Sequence, residues 1–219
     1  MTTTLLAGLS ILIIGDSHLA TPNYLIKTLH DNLMEQGAAV HSIGVCGSNP
    51  GDWITASPAG KCGGADRAGK SPATLMGQTA GTTPIKQLIA NEKPNLVLVV
   101  MGDNIANYKQ SFSRAWAWQQ VTSLTKEISS TGTSCAWVGP AWGTEGGKFG
   151  KNYARVTQIS TFLSTNVTPC AFINSLDMSK PGAWATIDGQ HFTNMGYQSW
   201  GDGISKSVLE LPFAKKNQK

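Results

Sequence analysis

Ile11-Leu12-Ile13-Ile14-Gly15-Asp16-Ser17-His18 decides how the chain is read. Four consecutive apolar residues, three of them β-branched, describe a strand buried on both faces, the habit of a parallel sheet. Gly15 permits a sharp turn, and a helical pattern resumes within a few residues. A serine between the end of a buried strand and the start of a helix is held rigidly, exposed, and near free backbone N–H groups, as a nucleophile requires. Asp and Ser are equally ordinary in turns and N-caps, so Ser17 needs partners before the tripeptide means chemistry.

Outward from that stretch the chain alternates. Thr21-Pro22 reads as a helix start, followed by Leu25, Leu29 and Leu33 at helical spacing and Gly37 as the stop. Ala39 to Val45 is a second strand. From Cys46 to about Thr83 the chain is rich in Gly, Pro, Ser and Ala without a period, and a long functional loop is expected. A short helix near 84–91 precedes Leu96-Val97-Leu98-Val99-Val100, a buried strand ending in Met101-Gly102-Asp103-Asn104. Ala117, Val121, Leu124 and Ile128 mark one face of a helix, and Ser134 to Val138 is a fourth strand. The Gly-rich segment Ala141 to Asn152 is expected to be mobile. Val156, Ile159 and Leu163 suggest another helix, Ala171-Phe172-Ile173 a fifth strand, and Tyr197, Trp200, Ile204 and Val208 the last helix. This pattern predicts an α/β fold, a mostly parallel five-stranded sheet covered by helices on both sides. Right-handed crossovers then bring the turns at Ser17, Gly47 and Asn104, and the loop before the last helix, to one sheet edge.

The bulk numbers fit one globular domain over residues 1–211: 219 residues, 41% hydrophobic and 14% charged. Three of the positive charges behind the formal +4 are Lys215, Lys216 and Lys219, in a basic C-terminal tail (212–219) expected to be flexible. The body is nearly neutral, so no nucleic-acid partner is expected. The apolar run Leu5 to Ile14 is too short to span a bilayer and lacks the basic start and cleavage site of a signal peptide, so no integral membrane segment is expected. Cys46, Cys62, Cys135 and Cys170 form no CxxC pair, and neither a metal nor a cofactor is expected. An even count allows two disulfides. Cys46 and Cys62 bracket one loop, while Cys135 and Cys170 each open a strand-like run. Two bridges imply a periplasmic or secreted protein, and four buried thiols a cytoplasmic one.

A serine hydroxyl needs a base, and the base needs a third group to fix its tautomer. His18 adjoins Ser17, but an immediate neighbour points elsewhere. His30 lies on a helical pattern and is expected at the surface or its boundary, and His41 inside a strand, packed or hydrogen-bonded. His191 differs: in Ile187-Asp188-Gly189-Gln190-His191 a carboxylate stands three residues upstream on a turn. Acyl chemistry also needs donors where the carbonyl oxygen becomes negative. Gly47 and Asn104, each just past a strand, can supply an N–H and a side-chain amide, and Ser17 its own N–H.

These residues together resemble the SGNH (GDSL-type) hydrolase superfamily: Gly15-Asp16-Ser17, Gly47, Gly102-Asp103-Asn104 and Asp188-Gly189-Gln190-His191 stand for its four blocks. The resemblance spans nearly the whole chain. It implies a flavodoxin-like three-layer α/β/α sandwich and a Ser-His-Asp ester hydrolase, with Ser17 as nucleophile, His191 as base, Asp188 orienting it, and Ser17, Gly47 and Asn104 as the oxyanion hole. The chain departs from the family at His18, where Leu is usual, and at Ile105, where Asp is frequent. Gly47 is preferred to Gly44 and Gly51 by its distance from the strand.

A fold does not name a substrate. The loops are rich in Gly, Ser, Thr and Asn rather than forming an apolar flap, and Trp53, Trp142 and Trp184 lie in or near them. Aromatic faces beside polar groups suit sugars. The reading is therefore an O-acetylesterase acting on an acylated carbohydrate or other small ester. Polysaccharide O-acyl transfer, lipase or thioesterase activity, and non-catalytic carbohydrate binding are the alternatives.

Overall fold

The computed structural model describes residues 4–58, 62–77 and 80–217. In chain order its elements are β1 (Ser10–Gly15), α1 (Leu25–Glu35), β2 (Ala39–Val45), β3 (Gly64–Ala68), β4 (Thr74–Leu75), α2 (Ile85–Glu92), β5 (Leu96–Val100), α3 (Asp103–Ala106), α4 (Arg114–Ser129), β6 (Ser134–Val138), α5 (Tyr153–Asn166), β7 (Ala171–Ile173), α6 (Asn194–Leu209) and α7 (Pro212–Asn217). One sheet of order β4-β3-β2-β1-β5-β6-β7 holds all the strands. β1 lies between β2 and β5 and is parallel to both, with Ile13 opposite Ser42 and Leu98.

The two faces of β1 explain its unbroken apolar run. Ile11 and Ile13 join Leu98, Val100, Leu29, Trp200 and Ile204 under α1 and α6. Leu12 and Ile14 join Val97, Val99, Val121, Leu124 and Ile159 under α2, α4 and α5. Every second residue thus serves an opposite layer, and none can be polar without losing burial on one side. This is the expected three-layer α/β/α sandwich.

The sheet has seven strands rather than five. The additional pair, β3 and β4, is antiparallel and lies within the region expected to be a loop. β3 reads Gly-Ala-Asp-Arg-Ala and β4 is two residues long; strands this short and polar carry no apolar run to betray them. Cys46–Cys62 joins the end of β2 to the approach of β3, and Cys135–Cys170 links β6 to the residue before β7. Both bridges match the sequence expectation.

Three further expectations are corrected. α1 begins at Leu25 rather than Pro22, because Thr21–Tyr24 closes a turn (Tyr24 N–H to Thr21 O, 2.9 Å) and Leu25 N–H bonds back to His18 O at 3.1 Å. His30 is buried, not a boundary residue: its ring nitrogens bond Ser42 Oγ at 2.8 Å and Gly69 O at 2.9 Å. The segment expected as a free tail forms α7 over Pro212–Asn217, with Ala214 packed into the α1/α6 layer.

His41 gives the sheet edge a pH dependence. Its Nε2 meets Asp66 Oδ1 of β3 at 3.0 Å and its Nδ1 meets Glu92 Oε1 of α2 at 2.8 Å. Burial alone would lower its pKa, but the two carboxylates outweigh that and push it up to about 9. A raised imidazole contributes stability that is fully present below its ordinary value of 6.5 and is lost as pH climbs to about 9. Thermal unfolding of the native protein and of His41→Gln should therefore differ at pH 6 and converge by pH 9.5. A difference that stays constant over that range would refute the linkage.

Candidate active site

Ser17, His191 and Asp188 form one hydrogen-bonded line at the carboxyl edge of the sheet. Ser17 Oγ lies 2.8 Å from His191 Nε2, and His191 Nδ1 lies 2.7 Å from Asp188 Oδ2. Because Asp188 accepts only when ionised, Nδ1 carries the proton and Nε2 is left to accept from the serine. Asp188 Oδ1 accepts the backbone N–H of Gln190 at 3.0 Å and of His191 at 2.8 Å. Burial would raise its carboxyl, but these N–H groups and the imidazole hold it below the usual range. The His191 ring is flanked by Tyr24, stacked at 5.9 Å, and by Phe149, edge-on at 5.4 Å.

The backbone turns after β1 and β2 leave donors free. Among the described residues neither the Ser17 nor the Gly47 N–H has a hydrogen-bond partner. Gly47 has φ +80°, which an L side chain rarely adopts. Asn104, in α3 after β5, spends one amide hydrogen on Ser48 O at 2.9 Å. That bond ties Asn104 to the Gly47 turn and leaves its second amide hydrogen available. The sheet thus brings together the five residues singled out as triad and oxyanion hole.

Beneath them lies a buried polar network that sequence reasoning missed. His18, 3% exposed, turns away from the Ser17 hydroxyl; its Nε2 meets Asp103 Oδ2 at 2.8 Å and its Nδ1 meets Tyr197 Oη at 2.9 Å. Asp103 also takes the Lys151 ammonium at 2.9 and 3.1 Å and the Tyr108 hydroxyl. Burial works against the Asp103 charge, yet Lys151, the His18 hydrogen bond and Tyr108 keep it ionised. Burial depresses His18 to about 4, so the ring is neutral at pH 7, donating from Nε2 to Asp103 and accepting from Tyr197. Asp16 is buried with Oδ2 unpartnered, and burial pushes its carboxyl up to about 7.

Lys151 closes the Gly-rich segment expected to be mobile. That segment is strapped across the acid–base loop: Thr144 N–H bonds Gly189 O at 2.9 Å, Lys148 N–H bonds Asp188 O at 2.9 Å, and Gly146 and Lys151 exchange backbone hydrogen bonds. Gly147 is obligatory in this contact, because a Cβ there would fall 2.2 Å from Asp188 O. The strap carries Phe149 to the His191 ring and ends in the Lys151–Asp103 ion pair, next to Asn104. A cavity of about 310 Å³ opens beside Gly47 and Asn104, walled by Asn107, Lys109, Phe149 and Gln190.

No protein-family model matches the chain. Protein BcsX of Komagataeibacter xylinus is 41% identical over 207 residues, covering 94% of this chain and 78% of that protein. The chain belongs to the BcsX family. Its fold is shared by several solved SGNH-type esterases. A carbohydrate acetylesterase family member from Sinorhizobium meliloti has TM-score 0.61 at 15% identity, covering 92% of this chain and 98% of that one. The aryl esterase of M. smegmatis has TM-score 0.61 at 15%, covering 93% and 100%. A peptidoglycan O-acetylesterase has TM-score 0.60 at 15%, covering 96% and 92%.

Within this BcsX-family fold the three tryptophans do not gather at the site. Trp53 is fully buried, with Nε1 donating to Ser48 Oγ at 3.2 Å, so it is a core residue behind the Gly47 turn and not a sugar-facing ring. Trp142 is pinned by Nε1 to Leu176 O and Ser179 O. Trp184 packs edge-on against Phe192 at 5.7 Å. None of the three lines the cavity beside the oxyanion donors. The aromatic rings that do are Tyr108 and Phe149, and the position of Phe149 in the Gly-rich segment gave no sequence signal. No helix among the described residues is long and apolar enough to cross a membrane.

Proposed function

We propose that the chain is a serine ester hydrolase, an O-acetylesterase that removes acetyl groups from a carbohydrate or polysaccharide. The observation that carries this reading is the unbroken Ser17–His191–Asp188 hydrogen-bond line beside two unpartnered backbone N–H groups. Ser17 Oγ attacks the acetyl carbonyl while its proton passes to His191 Nε2, and Asp188 stabilises the imidazolium. The negative oxygen is met by the N–H groups of Ser17 and Gly47 and the amide of Asn104. Collapse expels the sugar alkoxide, which takes the proton from His191 and leaves acetyl-Ser17. Water, deprotonated by His191, then releases acetate and restores the serine.

The acetylesterases among proteins of the same fold support a small acyl group, and the polar cavity wall supports a carbohydrate alcohol. The two disulfides support a periplasmic or secreted location. Incubation with an aryl acetate should yield aryl alcohol and a transient acetyl mass increment on the Ser17 peptide. Absence of both would sink the esterase reading. Repeating the reaction with an added sugar acceptor separates hydrolysis from acyl transfer: acetate release unaffected by the acceptor supports hydrolysis.

Asn104→Ala provides a test of the oxyanion assignment. Loss of one oxyanion donor costs about 10²–10³ in kcat in well-studied sites. The same drop is expected here with KM little changed, since the amide contributes most when the oxygen is charged. A rise in KM with kcat unchanged would instead mark Asn104 as a ground-state binder.

A further inference from the structure

The line from Ser17 to Gly47 and Asn104 sets where an ester carbonyl lies, and the cavity of about 310 Å³ begins at those same two donors. Whatever enters it is one half of the ester. Its size is at the low end of the ~300–1,000 Å³ usual for small-molecule sites. Its wall is polar: Asn107, Lys109 and Gln190 face it together with Asn104. Gln190 is 5% exposed, and its side-chain amide has no hydrogen-bond partner among the described residues; Lys109 likewise has no ion-pair partner there. A hydrocarbon chain seated here would take water from these groups and return no hydrogen bonds. A ring carrying several hydroxyls would return them. Two aromatic rings interrupt the polar wall, Tyr108, whose hydroxyl is bonded to Asp103, and the half-buried Phe149, and an aromatic ring among hydrogen-bonding side chains matches the C–H face and hydroxyl rim of a pyranose. The Phe149 ring is fixed before any ligand arrives, because the strap that carries it is bonded to Asp188 O and anchored through Lys151 to Asp103.

We propose that this cavity holds the alcohol half of the substrate, a single O-acylated pyranose unit, stacked on Phe149 and hydrogen-bonded by Asn107, Lys109 and Gln190. This rests on the esterase reading above and adds to it the residues that select the sugar. The acetyl group then projects away from the cavity, and the long reach of a lipid tail finds no apolar wall.

The test compares kcat/KM for 2-naphthyl acetate with that for monoacetylated methyl glucosides, xylosides and N-acetylhexosaminides. The sugar-to-aryl ratio should fall at least tenfold in Phe149→Ala for the preferred sugar and be retained in Phe149→Tyr. Because Phe149 also touches His191, Gln190→Leu is the second variant, and the ratio should fall there through KM. Ratios unchanged in both variants for every sugar overturn the proposal. Failure of the esterase reading looks different: neither ester class turns over in the native protein. The subsite is then still decided by titrating the same sugar esters into Ser17→Ala by calorimetry. Binding that is lost in Ser17→Ala/Phe149→Ala supports it, and no binding, or binding indifferent to Phe149, overturns it.

Discussion

Ser17→Ala is expected to lower turnover of an aryl acetate by about 10⁶-fold, the loss seen when a triad serine is removed from an enzyme that depends on it. The magnitude follows from what is left behind. The N–H groups of Ser17 and Gly47 and the Asn104 amide survive the substitution, but they stabilise an oxyanion that no nucleophile generates. His191 retains its bond to Asp188 and finds no hydroxyl at 2.8 Å. Because the two residues act as one unit, Ser17→Ala/His191→Ala should be no slower than either single variant. Asp188→Asn should cost about 10⁴, since an amide can stabilise the wrong imidazole tautomer and turn Nε2 into a donor. Steady-state assays of the four variants decide it. Multiplicative losses in the double variant would mean that Ser17 and His191 act in separate steps, and the relay would have to be abandoned.

The central strands and the triad were legible for one reason: both are written in short, local patterns. β1 and β5 follow the apolar runs that mark them, because a strand buried on both faces has little freedom to be polar. Asp188 and His191 sit on one turn, so their spacing already encodes their contact. Other features depend on partners distant in sequence. β3 and β4 are strands only because β2 offers an edge to pair with, and their own residues are those of a loop. His30 is buried because Ser42 and Gly69 satisfy both ring nitrogens, and nothing in its helix announces them. His18 was set aside as the base for a sound reason, since it points away from the Ser17 hydroxyl, but its true partners Asp103 and Tyr197 lie 85 and 179 residues away. Lys151 is the extreme case. In sequence it is a lysine in a Gly-rich segment, the description of a solvated side chain, and in the fold it is among the most deeply buried charges.

That burial makes Lys151→Met the substitution with the largest expected effect on stability. Lys151 and Asp103 are 0% and 1% exposed at the side chain, so water screens neither. Removing one partner of a buried pair costs roughly 3–5 kcal/mol, because the other charge stays behind uncompensated. Methionine fills most of the space, so the loss reports the charge rather than a cavity. The pair also shapes the response to acid. A carboxyl held below its usual value of 3.8 contributes stability that is present above that value and is lost as pH falls through the folded value. His18, lowered from 6.5 to about 4, adds to the loss on acidification over that interval, because the unfolded chain takes up its proton first. Without Lys151 the Asp103 pKa rises, and the native pH dependence below 4 should flatten. Lys151→Met/Asp103→Asn should recover much of the lost stability, since a neutral amide can still accept from Tyr108 and donate to the other tautomer of His18. Urea titrations of the native, single and double variants at about pH 2.5, 4 and 7 measure the coupling and the flattening. The strap that Lys151 anchors is bonded to Asp188 O through the Lys148 N–H and carries Phe149 to the His191 ring, so the single variant should lose kcat along with stability even where it remains folded. A double variant as unstable as Lys151→Met would show that Lys151 stabilises the fold by packing and not by its charge.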